Sequence, residues 1–147
     1  MKVEIEINKQ FAFKKFPHFE KILQKIVLKA LENTNSVSKS YNVSLLLCNN
    51  EYILELNKQF RGKDYPTNVL SFSDGEMLDD IKYLGDIAIS IPKIREEALE
   101  QNKTFRTHFL HMFTHGVLHL LGFDHQTPDD AKTMENLEDE ILNYISI

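Results

Sequence analysis

The sequence predicts a mixed α/β layer protein, a small sheet covered by helices, and three observations carry that prediction. Short apolar stretches that alternate or run unbroken recur along the chain, as strands do. Longer stretches space their apolar residues by three and four, as helices do. The two kinds interleave as β-α-β-α-β-β-α-α-α, which implies one mixed α/β layer domain. The expected architecture is therefore a small four-stranded mixed sheet with about five helices over it. A chain of 147 residues is one domain's worth and long enough to bury a real core, so residues 1–147 are read as a single domain.

Each element has its own signal. Val3, Ile5 and Ile7 alternate with Glu4 and Glu6, the mark of a half-buried strand. From Pro17 to Asn33 the residues Phe19, Ile22, Leu23, Ile26, Ala30 and Leu31 follow a helical stripe, with Pro17 suited to a first turn. Residues 34–40 are rich in Ser, Thr and Asn and read as a loop. Val43 to Cys48 is a nearly continuous apolar run, as in a central strand. Asn49 or Asn50 caps a helix to about Phe60 that ends near Gly62. Val69 to Phe72 is a short strand, 73–82 a polar and acidic loop, and Leu84 to Ser90 a further strand. Ser90 and Pro92 open a helix to about Asn102, Thr104 caps the next to Leu121, and Thr127-Pro128 opens the last, to about Ile145.

One stretch carries chemistry: Thr114-His115-Gly116-Val117-Leu118-His119-Leu120-Leu121-Gly122-Phe123-Asp124-His125. His115 and His119, four apart, share a helix face and can aim their rings at one point. On a continuous helix His125 would lie about 15 Å along the axis from His115. That is too far to share an ion bound at about 2.0–2.1 Å. The chain must therefore turn back, and Gly122 can take the left-handed conformation that ends a helix. Three imidazoles leave a fourth tetrahedral position for water, the pattern of catalytic rather than structural zinc. Two histidines at this spacing alone would suit an ordinary amphipathic helix. The third, after a helix-stopping glycine, points to a metal.

The spacing is that of the metzincin signature His-Glu-x-x-His-x-x-Gly-x-x-His, but Gly116 stands where those proteases carry their glutamate base. The stretch more closely resembles the signature of the YbeY family of bacterial endoribonucleases, His-Gly-x-Leu-His-Leu-x-Gly-Tyr-Asp-His, from which only Phe123 departs. Two further stretches match that family in order and spacing. One is Leu56-Asn57-Lys58-Gln59-Phe60-Arg61-Gly62-Lys63-Asp64 with Pro66-Thr67-Asn68-Val69-Leu70-Ser71-Phe72; the other is Leu84-Gly85-Asp86-Ile87-Ala88-Ile89-Ser90.

The resemblance implies a four-stranded sheet with the metal helix packed near it. It also implies a zinc-dependent cut in single-stranded RNA, with Arg61 as functional partner to the metal. Its wider context would be ribosomal RNA processing, especially 3′-end maturation of the small-subunit (16S) RNA, and ribosome quality control. Small-subunit ribosomal proteins and a ribosome-assembly GTPase would be the partners. The residues agree with such chemistry. A zinc ion on His115, His119 and His125 lowers the pKa of its water to about 7 and polarises a phosphoryl oxygen. Neutral imidazoles leave its charge uncompensated, which suits an anionic substrate, and a guanidinium such as Arg61 suits charge on phosphoryl oxygens. His115 and Arg61 are thus the catalytic candidates. Nickel, iron and copper suit three imidazoles as well. Asp124 is read as a turn or ligand-orienting carboxylate ahead of a general base. His111, one turn before His115, is a packed or surface residue ahead of an extension of the site. Asp86, which resembles the aspartate of the family's Leu-Gly-Asp-Ile motif, is read as structural or cleft-lining, Asn68 and Ser71 as braces of a strand near the cleft, and Lys58 and Lys63 as solvated lysines ahead of phosphate contacts.

Composition sets bounds. No run approaches the ~18 apolar residues of a membrane helix. The N-terminus alternates like a strand and lacks a signal peptide's apolar region, so the expected compartment is the cytoplasm. A lone cysteine, Cys48, cannot form an internal disulfide and reads as a small buried hydrophobe. A net charge of −5 argues against broad, tight, non-specific RNA binding, since an RNA would have to be held by a local patch. Two rival functions are a metallo-peptidase or amidase, which the missing glutamate disfavours, and a non-catalytic ribosome-assembly factor with a structural metal.

Overall fold

The computed structural model describes residues 1–35, 38–62 and 67–145. Its elements are β1 (Lys2–Lys9), α1 (Phe19–Leu31), β2 (Ser40–Cys48), α2 (Asn50–Arg61), β3 (Val69–Ser73), β4 (Met77–Leu78), β5 (Ile81–Ser90), α3 (Ile91–Glu100), α4 (Phe105–Leu120) and α5 (Pro128–Ile145). β1, β2 and β5 run parallel and β3 joins antiparallel to β5, giving the order β1-β2-β5-β3. The sheet is mixed and overlaid by helices, as the sequence predicts, with one strand more than expected. Residues 73–82 are not simply a loop. Met77 pairs with Lys82 and Leu78 with Ile81, so β5 begins three residues before Leu84. The apolar signal of Met77, Leu78 and Ile81 is diluted by four acidic neighbours, and Asp79 makes the reversal at φ 56, a conformation aspartate tolerates.

β2 is apolar along one face and, on the other, only at its C-terminal end, where α2 covers Leu46 and Cys48. Val43, Leu45 and Leu47 join Val3, Ile87 and Ile89 beneath α1, α4 and α5. Cys48, Leu70 and Ala88 pack with Ile53 of α2 on the opposite face. The first half of α4 is anchored by aromatics. Phe109 is ringed by Phe13, Phe16, Phe19 and Phe105 at centroid distances of 6.0, 6.0, 5.4 and 5.8 Å. Truncating such a residue costs about 3–5 kcal/mol. This fixed base holds the histidine-bearing end of α4 in register over β3 and β5.

Gly116 shows how close that approach is. A Cβ built there would lie 3.2 Å from Ile87 Cγ2 and 3.4 Å from Val69 Cγ2. The residue that replaces the protease glutamate therefore points into the sheet, where a long acidic side chain would have to displace the core.

Candidate metal centre and its cleft

The three histidines meet at the C-terminal end of α4. Ring centroids are 4.6 Å apart for His115 and His119, 5.4 Å for His115 and His125, and 5.0 Å for His119 and His125. One ligand nitrogen from each lies within 4.8 Å of the others, and this is the one such group of three among the described residues. His125 arrives by the reversal the sequence requires. Gly122 takes φ 95, its N–H donates to His119 O, and the Phe123 N–H donates to Leu118 O, each at 3.0 Å. These are the paired bonds of a Schellman helix end.

The reversal also sets the ligand geometry. It brings the Phe123 carbonyl to His119, whose Nδ1 donates to it at 3.0 Å. His115 Nδ1 donates to Glu138 Oε2 of α5 at 2.5 Å. With both Nδ1 atoms carrying their protons outward, both Nε2 lone pairs face inward, 3.0 Å from each other. Two facing lone pairs repel unless a cation lies between them. Ligands on a tetrahedral ion at ~2.0–2.1 Å stand about 3.3 Å apart, so the donor set fits such an ion. Outward bonds from ligand histidines to a carboxylate and a backbone carbonyl are the usual support of metal sites.

Electrostatics follow from the same contacts. Burial, then the neighbouring charges of His115 and His125, lowers the His119 pKa below the ordinary imidazole value. Burial pushes the Glu138 carboxyl up, but the hydrogen bonds from His111 and His115 outweigh it and bring the pKa down to about 2. Glu138 is 5% exposed, so its negative charge is held inside the fold by two imidazoles.

The triangle opens into a cleft of about 650 Å³ whose walls include Arg61, Thr67, Asn68, Ser71, Phe123 and Asp124. Arg61 ends α2, which stops where Gly62 takes φ 67. Asp124 Oδ1 accepts the His125 backbone N–H at 2.6 Å, so it braces the turn. His111 is not a vertex of the triangle: its Nε2 donates to Glu138 Oε1 at 3.0 Å. Phe123 is half-buried against the core and serves His119 through its carbonyl, a bond that needs no ring hydroxyl. Asp86 lies elsewhere. Its neighbour Ile87 faces α4, so alternation turns Asp86 to the α2 side, into a separate groove of about 530 Å³ with Phe60 and Phe72. Lys58 lies on α2. Lys63 lies outside the described residues.

Sequence reasoning missed Glu138, Glu97 and His108. Glu138 had a signal: it occupies a buried position of the α5 stripe that includes Met134 and Ile141. Glu97 Oε1 accepts from His108 Nε2 at 2.8 Å and from Asn68 Nδ2 at 3.0 Å. Nothing local marks that cluster, because its members come from three separate segments.

Fold and site together define a class: a mixed α/β protein that presents three convergent imidazoles, with an arginine, at an open cleft. Residues 4–146 match the family described as Endoribonuclease YbeY. A relative of that name from Francisella tularensis subsp. tularensis is 43% identical, over 84% of this chain and 78% of the relative. The solution structure of TM1509 from Thermotoga maritima aligns with a TM-score of 0.60 at 27% identity, covering 96% of this chain and 91% of that one. The chain belongs to the YbeY endoribonuclease family.

Proposed function

We propose that this chain is a metal-dependent endoribonuclease that cuts single-stranded RNA, with residues 1–147 acting as one catalytic domain. The observation that carries the reading is the convergence of the His115, His119 and His125 nitrogens in a cleft that also holds Arg61. Family membership supports it. His115, His119 and His125 would hold one divalent ion, zinc by the donor set, which supplies Lewis acidity toward a phosphoryl oxygen. Glu138 and the Phe123 carbonyl keep the two helical ligands in the right tautomer. Arg61, at the rim, gives its forked donors to the phosphodiester oxygens that gather charge. Ser71 and Asn68 line the wall along which the strand would lie. The physiological substrate in this reading is ribosomal RNA, at the 3′ end of the small-subunit RNA and in ribosome quality control. Small-subunit proteins and an assembly GTPase are the partners, and the cytoplasm is the compartment. No helix among the described residues is long and apolar enough to cross a membrane.

The test is cleavage of an end-labelled single-stranded RNA by wild type, His119→Ala and Arg61→Ala, each with and without chelator. Wild type should cut only without chelator. His119→Ala should fall to background, and Arg61→Ala should lose roughly 10²–10³-fold while keeping its metal. Equal cutting by all three would remove the support for this site. Cleavage of a peptide library, with RNA left intact, would replace the reading by a hydrolase of another class.

A further inference from the structure

Asn68 is held more tightly than a cleft-lining residue needs to be. Its backbone carbonyl accepts the N–H of Ser90, at the end of β5, at 3.0 Å. Its side-chain Nδ2 lies 3.0 Å from Glu97 Oε1 and 3.1 Å from Met112 Sδ. The two ends of an amide differ in what they face, and here chemistry decides between them. A carboxylate oxygen and a thioether sulfur both accept, so the NH₂ must point to them and both its hydrogens are used. Glu97 cannot swing away, because the same oxygen is held by His108 Nε2 at 2.8 Å. His108 is 2% exposed, and its Nδ1 is the one buried side-chain nitrogen or oxygen without a partner among the described residues. Leaving a buried polar atom unpaired costs about 1–3 kcal/mol. That cost is borne by an imidazole whose other nitrogen locks the carboxylate.

What remains of Asn68 is Oδ1, which receives no hydrogen bond among the described residues, on a residue that lines the cleft beside the metal centre. The neighbouring Arg61 offers donors, which suit phosphodiester oxygens. A fixed carbonyl oxygen does the opposite: it repels a phosphate and matches a donor. On a single strand the donor present at every nucleotide is the ribose 2′-hydroxyl, which DNA lacks. We propose that Asn68, locked by Glu97 and His108, is the specificity-determining residue by which the cleft selects ribose over deoxyribose. This rests on the endoribonuclease reading above.

The experiment is a cycle between protein and substrate. A short single-stranded RNA and versions carrying one 2′-deoxy nucleotide at successive positions are compared on wild type and Asn68→Ala. Affinity is measured by fluorescence anisotropy in chelator, and kcat/KM on metal-loaded protein. For wild type, one deoxy position should weaken binding about 3–10-fold, the value of one hydrogen bond. In Asn68→Ala the all-ribose strand should bind as weakly as that deoxy strand, whose own affinity is unchanged. Glu97→Ala, which frees the amide to turn over, should lose part of the same discrimination. A misfolded cleft would weaken every strand alike and leave no position-specific term. The proposal is overturned if no single 2′-hydroxyl matters to wild type, if Asn68→Ala keeps the discrimination, or if base identity replaces the sugar as the sensitive feature. RNA cleavage that is indifferent to Asn68 sinks this inference alone. A wild type that neither binds nor cuts RNA sinks the functional reading with it.

Discussion

Two carboxylate–histidine pairs lie along one stripe of α4, two turns apart, and they do opposite things. Near the start of the helix, Glu97 of α3 takes a hydrogen bond from His108 at 2.8 Å. Near its end, Glu138 of α5 takes one from His115 at 2.5 Å. The His108 side chain is 3% exposed and that of His115 25%. The second nitrogen of His108 is buried and has no partner among the described residues, while that of His115 faces His119 across the mouth of a cleft. A carboxylate–imidazole pair is therefore not a function in itself. What stands opposite the second nitrogen decides whether the pair is a ligand or a brace.

Removing each carboxylate separates the two pairs most directly. Glu138→Ala should weaken metal affinity roughly 10–100-fold by titration calorimetry, the usual loss when a ligand histidine loses its orienting partner. Glu97→Ala should leave the metal dissociation constant close to wild type. Equal losses would mean that both pairs serve the metal. The next effect is on stability. With metal chelated, Glu97→Ala leaves a sealed imidazole with no partner and should cost about 1–3 kcal/mol in denaturant unfolding.

A pH-dependent effect separates burial from pairing. Glu138, buried with two imidazole partners, is drawn down to about 2. Cys48, buried without a charged partner, is pushed by burial up to about 12. A pKa raised in the folded state contributes stability that is full below the unfolded value, near 9, and is lost as pH rises toward the folded one. The stability difference between wild type and Cys48→Ala should thus be constant up to about pH 9 and shrink from there toward pH 12. A flat difference across that window would show that the thiolate is solvated in the folded protein.

The parts of the molecule legible in the sequence are those whose geometry is local. His115 and His119 are a turn apart on one helix, and Gly122 announces the reversal that delivers His125, so that triangle can be drawn from spacing. Strand and helix periods likewise place nine of the ten elements, and β4 escapes because two residues make no period. The supports of the site lie across the fold. Glu138 is 23 residues from His115, and Glu97 is 29 from Asn68, so no window holds both partners. Asp86 illustrates a second limit. Alternation fixes which residues of β5 share a face, but not which face carries the chemistry. Only the seat of Ile87 against Gly116 settles that.

The helix end at Leu118–Phe123 has a consequence for timing. Closing the chain between His119 and His125 lowers its conformational entropy, and a flexible peptide would suffer that loss at the moment an ion arrived. Here the hydrogen bonds of the helix end close it during folding, and the Phe123 carbonyl turns the His119 ring inward in the same event. The three histidines are thus preorganised, and their affinity for an ion would be set by the ion and the imidazoles rather than by the ordering of a loop. An excised peptide carrying the same three histidines would have the ligands and lack this advantage.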